Sequence, residues 1–141
     1  MSEFEGKVVV VTGAGCITPL GNDTETFWQN LLAGKSGIAP LEKFATDGMK
    51  VRFGGEVKDF NPTDYIHEKK ISRLDPFAHY AIAASSQAVK QASLDMEKED
   101  RWRVGCIVAS GIGGLNEIQD QHSRYLNKGP TRTSPFFVPK M

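Results

Sequence analysis

Hydrophobic positions change their period several times along this chain. Lys7-Val8-Val9-Val10-Val11-Thr12-Gly13 is an unbroken β-branched run closed by glycine, the pattern of a strand buried on both faces. After the loop 14–21 the period lengthens. Asn22 or Thr24 can cap a helix that gathers Phe27, Leu31 and Leu32 on one face and stops at Gly34. From Ser36 to Asp75 the pattern breaks into a surface excursion, with a strand expected over Lys50–Val57 and a helical turn over Pro62–Ile66. Asp75-Pro76 then supplies an N-cap and a proline at the first helical position. Phe77, Tyr80, Ala81, Ala84 and Ala88 follow at three- and four-residue steps. Val104–Ala109 reads as a second buried strand, Ser110-Gly111-Ile112-Gly113-Gly114 as a turn, and the next stretch as a polar-faced helix to about Leu126.

The resulting order, β-α-(β)-α-β-α, implies strands joined by crossovers, hence a layered α/β architecture with a mostly parallel sheet. At 141 residues the chain has the length of one domain. Its tail resists that reading: residues 127–141 hold Pro130, Pro135 and Pro139 around Phe136, Phe137 and Val138, without a closing element. Met141 is therefore expected to be a truncation point, with those apolar residues meant for burial by further sequence.

Composition narrows the function classes. With 40% hydrophobic and 24% charged residues the chain matches soluble globular proteins. Seventeen basic residues balance seventeen acidic ones, so no global field draws it to nucleic acid or an anionic membrane. The Val8–Val11 run is too short for a signal segment or a membrane span. Cys16 and Cys106 lack CxxC spacing, which argues against a zinc site or a disulfide framework and for reduced thiols in the cytoplasm. No cofactor and no metal is expected.

Several motifs tempt and fail. Thr12-Gly13-Ala14-Gly15 follows a strand, as a dinucleotide-binding turn would, but GxGxxG needs glycine at Thr18 and TGxxxGxG needs it at Ile17 and Pro19. Pro19 also removes an amide where phosphate would need one. Gly13 and Gly15 are left as residues of a tight turn. Gly34-Lys35-Ser36 lacks the earlier P-loop glycine, whose place is taken by Gln29. Cys16 has no activating neighbour in sequence, Cys106 reads as a small buried apolar residue, and His67, His79 and His122 show no ligand spacing. The turn Ser110–Gly114 could cradle an anion or simply reverse the chain. Lys69-Lys70-Ile71-Ser72-Arg73 is different: a local positive patch in a neutral chain suits an acidic partner.

Taken in register, Val9–Gly13, Thr18-Pro19-Leu20-Gly21-Asn22, Phe27-Trp28, Leu31–Ile38, Phe53–Phe60, Leu74-Asp75-Pro76-Phe77, Ser110–Gly114 and Ser134–Pro139 resemble β-ketoacyl-acyl-carrier-protein synthases of the long-chain type. That resemblance implies a thiolase-like layered fold, of which residues 1–141 would be the incomplete N-terminal part, and a homodimer. It implies decarboxylative Claisen condensation, run by a cysteine in a T-A-C-x-S-G-like motif and two histidines, all expected beyond Met141; no residue here is assigned a catalytic role. By the same resemblance Lys69 and Arg73, with Lys70 beside them, hold acyl carrier protein, although Ser72 stands where the family has a further basic residue. Val108 is implied to line the acyl pocket near the dimer interface, with Ile112, Thr133 and Phe136 in its neighbourhood. The alternatives are a non-catalytic partner resembling a chain-length factor and a fragment of an NAD(P)-dependent short-chain dehydrogenase.

Overall fold

The computed structural model describes Gly6 and residues 8–141. The first helix begins at a cap one residue away from the candidates Asn22 and Thr24: Asp23 Oδ1 accepts from the Thr26 amide at 2.7 Å and Oδ2 from the Thr26 hydroxyl at 2.8 Å. α1 spans Thr24–Leu32, and Gly34 ends it at a φ of +66° that only glycine adopts without cost. β1 (Ile38–Pro40) and β2 (Phe53–Gly55) pair antiparallel, with Ile38 opposite Gly55 and Pro40 opposite Phe53. β2 lies inside the stretch expected to be extended; β1 is too short to carry a period. A 3-10 turn over Pro62–Asp64 leads to the short α2 (Glu68–Ile71) and the long α3 (Pro76–Gln91). α4 (Leu115–Lys128) and the single turn α5 (Phe137–Lys140) complete the chain.

Two expected strands are not formed. Lys7 lies outside the described residues; Val8–Gly13 and Val104–Ala109 carry no ladder among the described residues, and Val9 and Ile107 stand 89% and 97% exposed. β-Branched sequence favours an extended backbone, but ladder bonds form between strands, and no described backbone segment pairs with either run.

α3 organises what is packed. Gly13 and Gly15 bring the N-terminal segment so close to it that a Cβ on either would collide with the carbonyl oxygens of Ala88 and Ala84. This close approach, and not a phosphate cradle, is what those glycines permit. Gln91 Oε1 accepts from the Ala14 amide at 2.6 Å and Gln87 Oε1 from the Cys16 amide at 3.1 Å. Gln87 Nε2 donates onward to the Asn22 carbonyl and the Tyr65 hydroxyl. Phe60 stacks on Tyr65 and meets Tyr80 edge-on, at centroid distances of 6.2 and 5.1 Å, which seats the surface excursion on α3.

The apolar core is nevertheless small. Ile66 and Ala83 are the buried apolar residues among those described. The accessible surface is 11473 Å², whereas a compact monomer of this mass exposes about 7,200 Å². Much apolar surface, including Val8–Val11, Phe136 and Val138, is uncovered in the isolated chain.

Candidate functional site

The basic segment occupies α2 and the turn that follows it. Lys69, Lys70 and Arg73 are all exposed, and among the described residues none of them pairs with an acid. Their backbone, by contrast, is held firmly. Ile66 is buried just before the segment and Asp75 just after it. His67 Nδ1 accepts from the Lys69 amide at 3.3 Å, the Arg73 amide donates to the Lys70 carbonyl, and the Leu74 amide donates to the Ile71 carbonyl. His79, reaching back from α3, donates from Nε2 to that same Ile71 carbonyl at 3.1 Å. Free cationic side chains on a fixed backbone make a preorganised electrostatic surface. A second basic groove lies at the end of α4, lined by Arg124, Lys128 and Arg132; sequence spacing hides it because Arg132 sits on a separate turn.

On the other side of α3 runs an apolar cleft of about 500 Å³, lined by helix residues that include Phe77, Ala81, Ile82 and Val89 and, facing them, Cys106 and Val108. Cys106 and Val108 are two apart in an extended segment and so present the same face. Cys106, expected to be buried, is exposed, because no ladder forms around it. Val108 borders this apolar cavity, while Ile112 and Phe136 are exposed away from it, at 69% and 62%. Thr133 is half-buried, its hydroxyl donating to the Pro130 carbonyl.

A polar network ties the glycine turn to the tail. Asp75 occupies the cap position of α3 but serves α4: its Oδ2 accepts from the Glu117 amide at 2.8 Å and its Oδ1 from Asn116 Nδ2 at 3.4 Å. Gly114 packs against Asp75, where a Cβ would lie 3.2 Å from the carboxylate. Glu117 accepts from Gln121 Nε2 at 2.8 Å and from Lys140 Nζ at 3.3 Å. Gln121, only 3% exposed, accepts in turn from the Ser134 amide at 2.8 Å. Within the turn the Gly113 amide donates to Ser110 Oγ at 3.0 Å and the Gly114 amide to the Met141 carbonyl at 3.2 Å, so these two are taken by protein and are not offered to an anion. No periodic signal marks Asp75, His79 or Gln121 for these roles, because each acts across elements.

Cys16 is not set up for attack. Burial, and then the nearby Asp23 charge, pushes the Cys16 thiol above its ordinary value, so it stays protonated where a nucleophile would need to ionise. Among the described residues no group of three or more acids, cysteines or histidines could hold a metal, and no helix is long and apolar enough to cross a membrane.

The sequence profile of the family described as "Beta-ketoacyl synthase, N-terminal domain" matches residues 6–141. The chain belongs to the β-ketoacyl synthase family. Similar curated β-ketoacyl synthases include the 3-oxoacyl-[acyl-carrier-protein] synthase 2 of Synechocystis sp., 44% identical over 141 residues, covering 100% of this chain and 34% of that one. The protein of the same name from Staphylococcus aureus is 42% identical over 137 residues, covering 97% and 33%. The chain thus spans about a third of the length of the curated relatives it matches. Among solved structures it resembles the ishigamide ketosynthase/chain length factor, with TM-score 0.76, 28% identity and coverage of 93% of this chain and 33% of that one. It also resembles a type II polyketide ketosynthase solved in complex with its acyl-carrier protein and bound to the hexaketide, with TM-score 0.75, 27% identity and coverage of 93% and 34%. The backbone therefore follows the layered α/β, thiolase-like fold of β-ketoacyl synthases even where its own strands are unpaired.

Proposed function

We propose that this chain is the N-terminal part of the condensing domain of a β-ketoacyl-acyl-carrier-protein synthase that elongates fatty acyl chains in the cytoplasm as a homodimer. The observation that carries the reading is the 44% identity to a 3-oxoacyl-[acyl-carrier-protein] synthase 2 along the whole chain. In the reaction, a cysteine thiolate takes the acyl group from its carrier thioester and releases the carrier thiol. Malonyl-carrier loses CO₂, and the carbon nucleophile so formed attacks the enzyme-bound thioester and expels the cysteine thiolate. Cys16 does not fit that thiolate role, since burial keeps it protonated.

This segment's part is to bind and to shape. Lys69, Lys70 and Arg73 dock the acidic carrier; Val108, across the cleft from Phe77 and Ala81, forms a wall of the acyl site near the dimer interface. Ile112, Thr133 and Phe136 belong to the same region.

The test is kinetic, on the full-length protein. Reversing Lys69→Glu and Arg73→Glu should raise KM for acyl-carrier substrates by about fivefold or more per contact at low salt, an effect that shrinks as salt rises. Turnover of acyl-pantetheine analogues, which need no docking, should hardly change. Equal loss with carrier-bound and carrier-free substrates would remove the docking assignment. Failure of the full-length protein to form 3-oxoacyl-carrier from acyl- and malonyl-carrier would remove the synthase reading and favour a non-catalytic partner.

A further inference from the structure

Among the described residues the buried set includes Ile66, Asp75 and His79, and all three flank or enter the basic segment. Ile66 anchors its start by packing. Asp75 anchors its end by capping α4. His79 is different in kind, because its ring enters the segment's middle and bonds to main chain.

We infer that His79 is a positioning residue for the surface formed by Lys69, Lys70 and Arg73, acting through the Ile71 carbonyl; this rests on the carrier-docking reading of that surface. His79 is 8% exposed on a helix whose neighbouring positions are mostly small or apolar. A buried ring needs a partner for its polar atoms, and here the partner is the C-terminal residue of α2. A carbonyl can only accept, so Nε2 carries the proton. Ile71 thereby has both lone pairs engaged, one by the Leu74 amide and one by His79. A helix of four residues has too few internal bonds to hold its own orientation. The ring fixes where α2 ends, and with it the directions in which Lys69 and Lys70 leave on one side and Arg73 on the other. Losing the bond would leave the same charges on a backbone that samples several orientations, so part of each encounter's binding energy would go into ordering it.

The experiment compares His79→Leu, His79→Asn and His79→Gln in the full-length protein. Leu lacks a donor and Asn is too short to reach the carbonyl. Gln can place its amide nitrogen near the position of Nε2. Leu and Asn should each raise KM for acyl-carrier substrates about three- to tenfold, the loss expected of one hydrogen bond that orders a binding surface. kcat, and KM for acyl-pantetheine, should stay within about twofold. Gln should restore carrier KM to within about twofold of the parent. Exchange of the Lys70–Leu74 amides should quicken in Leu and Asn and not in Gln. Because Asn keeps a polar side chain, it serves where Leu does not fold. Equal losses on both substrates, or failure of Gln to restore carrier KM, would overturn the inference and leave His79 a packing residue. The Lys69→Glu, Arg73→Glu protein in the same assay separates the two claims. If charge reversal raises carrier KM and the His79 variants do not, positioning fails alone; if charge reversal has no effect, the docking reading fails first.

Discussion

At the scale of single residues, the side chains with most influence are those that satisfy main-chain groups at a distance. Asp23 is the simplest case. Its bonds from the Thr26 amide and hydroxyl hold its carboxyl below the ordinary carboxylate range. A folded value below the unfolded one means that its stabilisation is fully present above the unfolded value and is lost as pH falls through the folded one. Asp23→Ala should therefore destabilise α1 by about 1 kcal/mol at neutral pH, the usual worth of a cap. Asp23→Asn should retain most of the cap and abolish its pH dependence. Exchange of the Thr26 amide in the full-length protein, followed from neutral to acidic pH, checks both. Its protection should weaken on acidification in the parent and stay level in the Asp23→Asn variant; the same decline in both would show that the Asp23 carboxylate is not the titrating cap.

Elements long enough to repeat a period are the ones that sequence makes legible. α1, α3 and α4 each run for nine residues or more, long enough for a helical period to repeat, and Asp75-Pro76 also announces the start of α3. α2 and α5 are single turns of four residues, within which no period can repeat. The two β-branched runs fail for another reason: strand propensity is written in one segment, but a strand is a relation between two. The site divides the same way. The basic patch is legible because charge is a local property. His79 and Asp75 are not, since one serves a carbonyl eight residues back and the other an amide 42 residues on. The second bond makes a prediction. Asp75→Ala should cost about 1–3 kcal/mol, because it removes a buried carboxylate that accepts from the first turn of α4. Asp75→Asn should cost less. Urea unfolding of the full-length protein, together with exchange of the Glu117 amide, measures the difference; an unchanged Glu117 amide in the Ala variant would mean that α4 is capped some other way.

For the molecule as a whole the decisive quantity is the surface left open. An accessible area of 11473 Å², against about 7,200 Å² for a compact chain of this mass, leaves Val8–Val11, Ile107, Phe136 and Val138 in water. The 141-residue chain made by itself should accordingly bind hydrophobic dyes, associate, and melt without a sharp transition. It should also form no 3-oxoacyl-carrier from acyl- and malonyl-carrier, since burial keeps the Cys16 thiol protonated and acyl transfer needs a thiolate. A monodisperse monomer with a single cooperative melt would contradict the first expectation, and 3-oxoacyl-carrier formed by pure chain the second.

The glycines beneath α3 set a vernier. Two residues of extended chain advance about 6.6 Å, and four residues of helix about 6 Å. Gly13 against Ala88 and Gly15 against Ala84 use that near-equality, as do the Ala14 amide on Gln91 and the Cys16 amide on Gln87. Notch and tooth alternate along the two segments, which run in opposite directions. A slip of one residue would bring the Cβ atoms of Ala14 and Cys16 onto helix carbonyls and carry both amides past their acceptors. α3 is thereby indexed along its own axis, and the end of it that carries His79 inherits that setting.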